Sequence, residues 1–145
     1  MTEPIAASVI GRLSTLTGIP EVNIENLELV RYEEGQFYEG HYDFSFEELH
    51  RPQGVRLMTV FLYLSDVEAG GETEFINLKQ KVSVTPKRGK ALMFGNVMDS
   101  DPNTPDRRTK HEALPLQKGV KYGINVWFHQ RDFEAAFKNG CTSLE

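Results

Sequence analysis

Arg31-Tyr32-Glu33-Glu34-Gly35-Gln36-Phe37-Tyr38-Glu39-Gly40-His41-Tyr42-Asp43 is the stretch from which the rest of the chain can be read. It ends in H-x-D, and on an extended strand the side chains at i and i+2 leave the same face. His41 and Asp43 therefore point into one space. An imidazole and a carboxylate there are two of the three ligands of a 2-His-1-carboxylate facial triad, the set that leaves open positions on non-heme Fe(II). The third ligand must come from elsewhere. The candidate is His111, followed ten residues later by Lys121 at the head of Lys121-Tyr122-Gly123-Ile124-Asn125-Val126-Trp127-Phe128-His129.

Outward from that stretch the chain reads as mainly β with flanking helices. Ile5, Val9, Ile10, Leu13 and Leu16 recur at helical spacing over residues 4–17, and Gly18 followed by Pro20 ends the pattern. Strands are expected from Leu27 to Tyr32, Tyr38 to Asp43, Arg56 to Leu64, Val82 to Val84 and Lys90 to Phe94, with Gly70-Gly71 as a tight turn ahead of a short strand at Glu72 to Phe75. The run from Arg56 has few polar residues, as expected where both faces are covered. Phe44 to Gly54 reads as a loop, either a lid over the site or an ordinary connection, and Gly95 to Lys110 as a surface loop. His111 is expected to open a closing hairpin that turns at Pro115 to Gly119 and returns along Lys121 to His129, before a short helix between Arg131 and Asn139. Many short strands with Gly and Pro turns favour a two-sheet antiparallel barrel or jelly roll, cupin-like in outline.

Length and charge narrow the possibilities. A chain of 145 residues is long enough for one core and is expected to be a single domain over 1–145, with a helix at about 4–17 and a β-core at about 27–130. Sixteen basic against twenty-one acidic residues leave a net charge of −5, which argues against nucleic acid or an anionic membrane as partner. The single cysteine, Cys141, forms no internal disulfide. Neither a signal peptide nor a transmembrane segment is read, so the expectation is a soluble, cytoplasmic protein. Leu144-Glu145 reads as an added tail and carries no weight. No feature of the sequence sets an oligomeric state.

In the last strand Lys121, Gly123, Asn125, Trp127 and His129 share one parity. Lys121 alone would read as a snorkelling surface lysine. Facing inward beside a metal site, it would need an anionic partner, because a buried ammonium is costly unless paired.

H-x-D by itself is a weak signal, but the order of Arg31-Tyr32, Gly35-Gln36, Tyr38, His41-x-Asp43, Arg56 to Leu64, Gly70-Gly71-Glu72-Thr73, Pro86 to Phe94, His111 and Lys121 to Trp127 is not. Over most of residues 5–130 the chain resembles the catalytic domain of the collagen-type prolyl 4-hydroxylases, which depend on Fe(II) and 2-oxoglutarate. The resemblance implies a double-stranded β-helix fold with His41, Asp43 and His111 on Fe(II). It further implies that Lys121 binds the distal carboxylate of the co-substrate 2-oxoglutarate, with Tyr32 and Thr59 as additional donors to it. Tyr38, Arg56 and Trp127 match positions along the substrate groove; His129, at the end of the last strand, reads either as a lip residue facing substrate or as simply exposed. The implied activity uses O2 to hydroxylate prolyl residues of a peptide or protein, releasing succinate and CO2, with ascorbate as an optional further cofactor. Asp43 favours hydroxylation over halogenation, since related halogenases lack that carboxylate.

Three departures from the family pattern bear on substrate rather than on metal. The family's strands ahead of the first helix, including an Arg-Thr-Ser segment, have no counterpart; Glu112, Ala113 and Leu114 stand where Gly and Cys are common; and Ile76 replaces a frequent proline. The same chemistry on free proline or on another peptide side chain is the alternative reading. A non-catalytic cupin-like module holding zinc is a third, set against the absence of an evident fourth His or Cys ligand.

Overall fold

The computed structural model describes residues 3–142; Leu144-Glu145 lies outside them. Helix α1 (Pro4–Thr17) starts with proline in its first turn, is capped by the Glu3 carboxylate on the amide of Ile5, and stops at Gly18 with φ 71°. Strands follow in the order β1 (Glu28–Tyr32), β2 (Tyr38–His41), β3 (Arg56–Tyr63), β4 (Ala69–Gly70), β5 (Thr73–Phe75), β6 (Val82–Val84), β7 (Ala91–Gly95), β8 (Val97–Met98), β9 (Asp101–Pro105), β10 (His111–Ala113), β11 (Leu116–Lys118) and β12 (Lys121–His129), before helix α2 (Phe133–Lys138).

Two four-stranded antiparallel sheets, β1-β12-β3-β7 and β2-β10-β5-β6, carry the fold. This is the double-stranded β-helix that the sequence led us to expect. Alternation divides the first sheet. Val60 of β3 with Val126 and Phe128 of β12 pack with Leu13 and Ile24 on one face, joined by Val9 and Ile10 of α1. Thr59, Phe61, Lys121, Asn125 and Trp127 leave the other face and line the space between the sheets. Both faces of β3 are thus covered, the physical reason for its low polarity. Only the middle of α1 reaches the sheet; Ile5 and Leu16, read as part of its apolar face, are exposed at its two ends.

Four local expectations change. The strand read as Tyr38 to Asp43 ends at His41. His111 and Lys121 do not belong to one hairpin: β10 and β12 lie in different sheets, and β11 leaves to pair with β4. Gly95 to Lys110 is not simply a loop, since β8 and β9 form a small antiparallel ribbon within it. The lid reading of Phe44 to Gly54 gives way as well: the segment is tied back, the Arg51 and Pro52 carbonyls accepting from the Arg131 side chain at 2.8 and 2.7 Å. None of its residues lines the space between the sheets.

Candidate active site

His41 closes β2 and His111 opens β10, and strand pairing sets them directly opposite one another. Their rings lie 4.4 Å apart. Each Nδ1 faces a backbone carbonyl, Glu39 at 2.8 Å for His41 and Thr109 at 3.0 Å for His111. A carbonyl only accepts, so each Nδ1 carries the hydrogen and each neutral Nε2 presents a lone pair. Asp43 Oδ1 lies 3.4 Å from the His41 Nε2 and 3.8 Å from that of His111. With both imidazoles neutral, three lone-pair donors converge with no donor hydrogen of their own between them, an arrangement that a cation relieves. Ligand atoms of these residues all lie within 4.8 Å of one another, and among the described residues no other group of three His, Cys, Asp or Glu is so placed. Two imidazoles and one carboxylate are the donor set suited to non-heme Fe(II), while structural zinc takes four protein ligands.

The second oxygen of Asp43 is held from behind. Thr59 Oγ1 donates to Oδ2 at 2.6 Å and the Trp127 indole at 3.1 Å, the two donors being cross-strand neighbours on β3 and β12. Burial pushes the Asp43 carboxyl up, but the His41 contact, the nearby His111 and these two donors outweigh it and hold the group well below the usual carboxylate range. Burial also lowers His41, yet its contacts with Asp43 and the Glu39 carbonyl leave it above an ordinary histidine. For His111 burial prevails and its pKa falls.

From this cluster a pocket of about 540 Å³ runs between the sheets to Lys121. Lys121 is 2% exposed, and its Nζ donates to the Gly71 carbonyl at 2.7 Å. The rings of Tyr32, Phe61 and Tyr63 surround the ammonium at 5.2, 5.4 and 5.7 Å. Burial drags its pKa down to about 8, against a partial upward pull from Glu72. Among the described residues no carboxylate lies within ion-pair distance of it. Two glycines make this end possible. Gly71, at φ 73°, turns its carbonyl to the ammonium, and a Cβ on Gly123 would fall 2.1 Å from Phe61 Cζ, so only glycine admits that ring.

Two expected roles change with the geometry. Thr59 was assigned to the co-substrate, but its one hydroxyl hydrogen goes to Asp43, and its oxygen accepts from Asn96 Nδ2 at 2.9 Å. Another hydroxyl that lines the pocket is that of Thr73, hydrogen-bonded at 2.8 Å to Tyr63, one of the three rings around the ammonium. Gly70-Gly71-Glu72-Thr73 was legible as a turn, and its threonine could have been singled out. His129, read as a lip residue facing substrate or as exposed, is 0% exposed and does not line the pocket. Its Nδ1 meets the Gly54 carbonyl and its Nε2 the Glu25 carboxylate. That carboxylate also binds Arg56 through two hydrogen bonds, at 3.0 and 3.1 Å, and Arg56 lies 3.6 Å from the centre of the Trp127 ring. Burial raises the Glu25 carboxyl, but the contacts with His129 and Arg56 more than offset it. Tyr38, Arg56, Trp127 and Tyr32 do line the pocket.

A jelly roll whose sheets enclose two histidines and a carboxylate, with a buried cation across the pocket, has the frame of a non-heme iron oxygenase. Residues 27–129 match the model of the 2OG-Fe(II) oxygenase superfamily, and the chain belongs to that family. Membership implies Fe(II), 2-oxoglutarate and O2. Within the family the similarity is to prolyl 4-hydroxylases. Probable prolyl 4-hydroxylase 7 of Arabidopsis thaliana is 35% identical over 159 residues, covering 96% of this chain and 49% of that protein. Prolyl 4-hydroxylase subunit alpha-2 of Gallus gallus is 36% identical over 146 residues, covering 99% of this chain and 27% of that protein. The chain therefore spans about half or less of these curated relatives. Among solved structures, the viral collagen prolyl hydroxylase of Paramecium Bursaria Chlorella virus-1 in its 2OG complex superposes with a TM-score of 0.69 at 32% identity, over 84% of this chain and 73% of that one. No helix among the described residues is long and apolar enough to cross a membrane.

Proposed function

We propose that this chain is a single catalytic domain that hydroxylates prolyl residues in peptides or proteins, using Fe(II), 2-oxoglutarate and O2 and releasing succinate and CO2. The observation that carries the reading is one pocket with a three-ligand cluster at one end and, at the other, a buried ammonium that has no carboxylate partner among the described residues. His41 Nε2, Asp43 Oδ1 and His111 Nε2 would hold the iron, and Lys121 would take the distal carboxylate of 2-oxoglutarate. When bound, iron would activate O2, the oxidant, while 2-oxoglutarate would give up two electrons in becoming succinate and CO2, so that one oxygen atom goes to succinate and the other to an unactivated C–H bond.

The chain's own contribution is positioning. The Glu39 and Thr109 carbonyls fix which imidazole nitrogen faces the metal. Thr59 and Trp127 occupy Asp43 Oδ2, so the carboxylate offers one oxygen and leaves room for a co-substrate. Tyr32 and Thr73, which line the same pocket as Lys121, would serve as hydroxyl donors to that carboxylate. Tyr38, Arg56 and Trp127 face the substrate, and His129 acts at one remove, through the Glu25 carboxylate that it shares with Arg56.

The test is succinate release with a panel of proline-rich peptides, free proline and no substrate, each with and without ascorbate and each peptide examined by mass spectrometry. Peptide-dependent succinate with one oxygen added on proline is the expected result. Succinate without peptide oxidation would move the substrate elsewhere, and no succinate from iron-loaded protein would overturn the enzyme reading.

A further inference from the structure

Asn96 lies outside the pocket lining, 2% exposed, at the end of β7. Its backbone is used by the fold, the amide donating to Leu57 and the carbonyl accepting from Asp106. Its side chain makes one hydrogen bond, from Nδ2 to Thr59 Oγ1 at 2.9 Å, and its Oδ1 is buried without a partner. An orphaned buried acceptor costs stability. A residue kept for packing alone would be better as an apolar side chain of that size.

The direction of the hydrogen bonds gives the amide a task. Asp43 is ionised and can only accept, so at 2.6 Å the hydrogen between it and Thr59 belongs to Thr59. The Thr59 oxygen is then left with lone pairs alone, and only a donor can face it. Asn96 supplies that donor. If the amide turned over, its oxygen would compete with Asp43 for the single hydroxyl hydrogen, and Asp43 Oδ2 would keep the Trp127 indole alone. We infer that Asn96 is a positioning residue for the metal site: by donating to Thr59 it commits the threonine hydrogen to Asp43 Oδ2 and so holds Oδ1 as the single ligand oxygen. The inference rests on Asp43 being a metal ligand, as proposed above.

The test needs no turnover. Mn(II) affinity of the purified protein is measured by calorimetry for wild type, Asn96→Ala, Thr59→Val and the double variant, with Asp43→Ala as reference. Trp127 is the only tryptophan of the chain, so its indole N–H gives one resonance that reports on Asp43 Oδ2 in the metal-free protein. Asn96→Ala is expected to weaken Mn(II) roughly tenfold, within the range for loss of groups that orient a metal ligand, and to move the indole resonance. In the Thr59→Val background the same change is expected to do neither, because the route to Asp43 is already cut. Equal weakening in both backgrounds, or unchanged affinity and resonance in the first, would overturn the relay. Undiminished Mn(II) binding by Asp43→Ala would instead sink the ligand reading, and the relay with it. If Asn96→Ala does not fold, Asn96→Ser, which also removes the amide donor, is put through the same comparison.

Discussion

Replacing Lys121 by methionine separates what the residue does for binding from what it does for stability. An ammonium whose pKa falls from 10.5 to about 8 is disfavoured in its charged form by about 3 kcal/mol, at about 1.4 kcal/mol per unit. Methionine keeps the stem and removes that penalty, but it also removes the hydrogen bond to the Gly71 carbonyl, a loss of about 1–3 kcal/mol. Lys121→Met is therefore expected to be between unchanged and about 2 kcal/mol more stable than wild type at neutral pH in the absence of 2-oxoglutarate. The sign with pH follows from proton counting. Below about pH 8 folded and unfolded chains both hold the lysine proton, and the cost is complete. Between there and 10.5 the unfolded chain holds a proton that the folded one has lost, so wild-type stability gains on the variant as pH rises. Denaturant unfolding of both proteins across this range is one assay. The second is thermal unfolding of the Mn(II)-loaded proteins with 2-oxoglutarate at about a hundred times its wild-type Kd, where wild type gains about 2.7 kcal/mol and Lys121→Met gains nothing. A variant that loses several kcal/mol without 2-oxoglutarate, or that is still stabilised by it, would refute the reasoning.

Alanine at His41, Asp43 or His111 is expected to abolish succinate formation and to leave the fold intact, checked by assay and circular dichroism. Gly123→Ala forces the Phe61 ring off β12 toward Lys121, with an expected cost of about 1–3 kcal/mol in stability; the KM for 2-oxoglutarate should rise with it. Glu25→Ala releases Arg56 and leaves His129 Nε2 unsatisfied, an expected loss of about 1–3 kcal/mol. Steady-state kinetics on this variant should show a raised KM for peptide and an unchanged one for 2-oxoglutarate. Wild-type 2-oxoglutarate affinity should fall as pH climbs through about 8, where Lys121 loses its proton; titration calorimetry at several pH values reads this directly.

The parts of the site visible in the sequence are those governed by strand parity and by residue type. Lys121, Asn125 and Trp127 on one face of β12 follow from alternation alone; His41 and Asp43 converge as expected although β2 ends at His41, Asp43 being held there by Thr59 and Trp127. What stayed hidden depends on register between strands distant in the chain. Thr59 reaches Asp43 rather than the co-substrate because β3 sets it opposite Trp127 on one side and Phe94 on the other. Asn96 has no motif and becomes readable only once that register is known. His129 shares parity with Lys121, but an irregularity where it pairs with Arg56 and the loop carbonyl of Gly54 take it out of the pocket. Likewise, Pro115 to Gly119 looks the same in sequence whether the chain folds back as a hairpin or crosses between sheets. Only the pairing of β11 with β4 decides that.

The central claim is that one pocket couples the oxidation of 2-oxoglutarate to hydroxylation of a prolyl residue. It is tested most directly by running the reaction under isotopically labelled O2 with a proline-rich peptide and following the label by mass spectrometry. One labelled atom in succinate and one in the hydroxyl of the peptide proline, in equal amounts, is the predicted outcome. Succinate that carries the label while the peptide gains none, or a peptide hydroxyl that draws its oxygen from water, would contradict it.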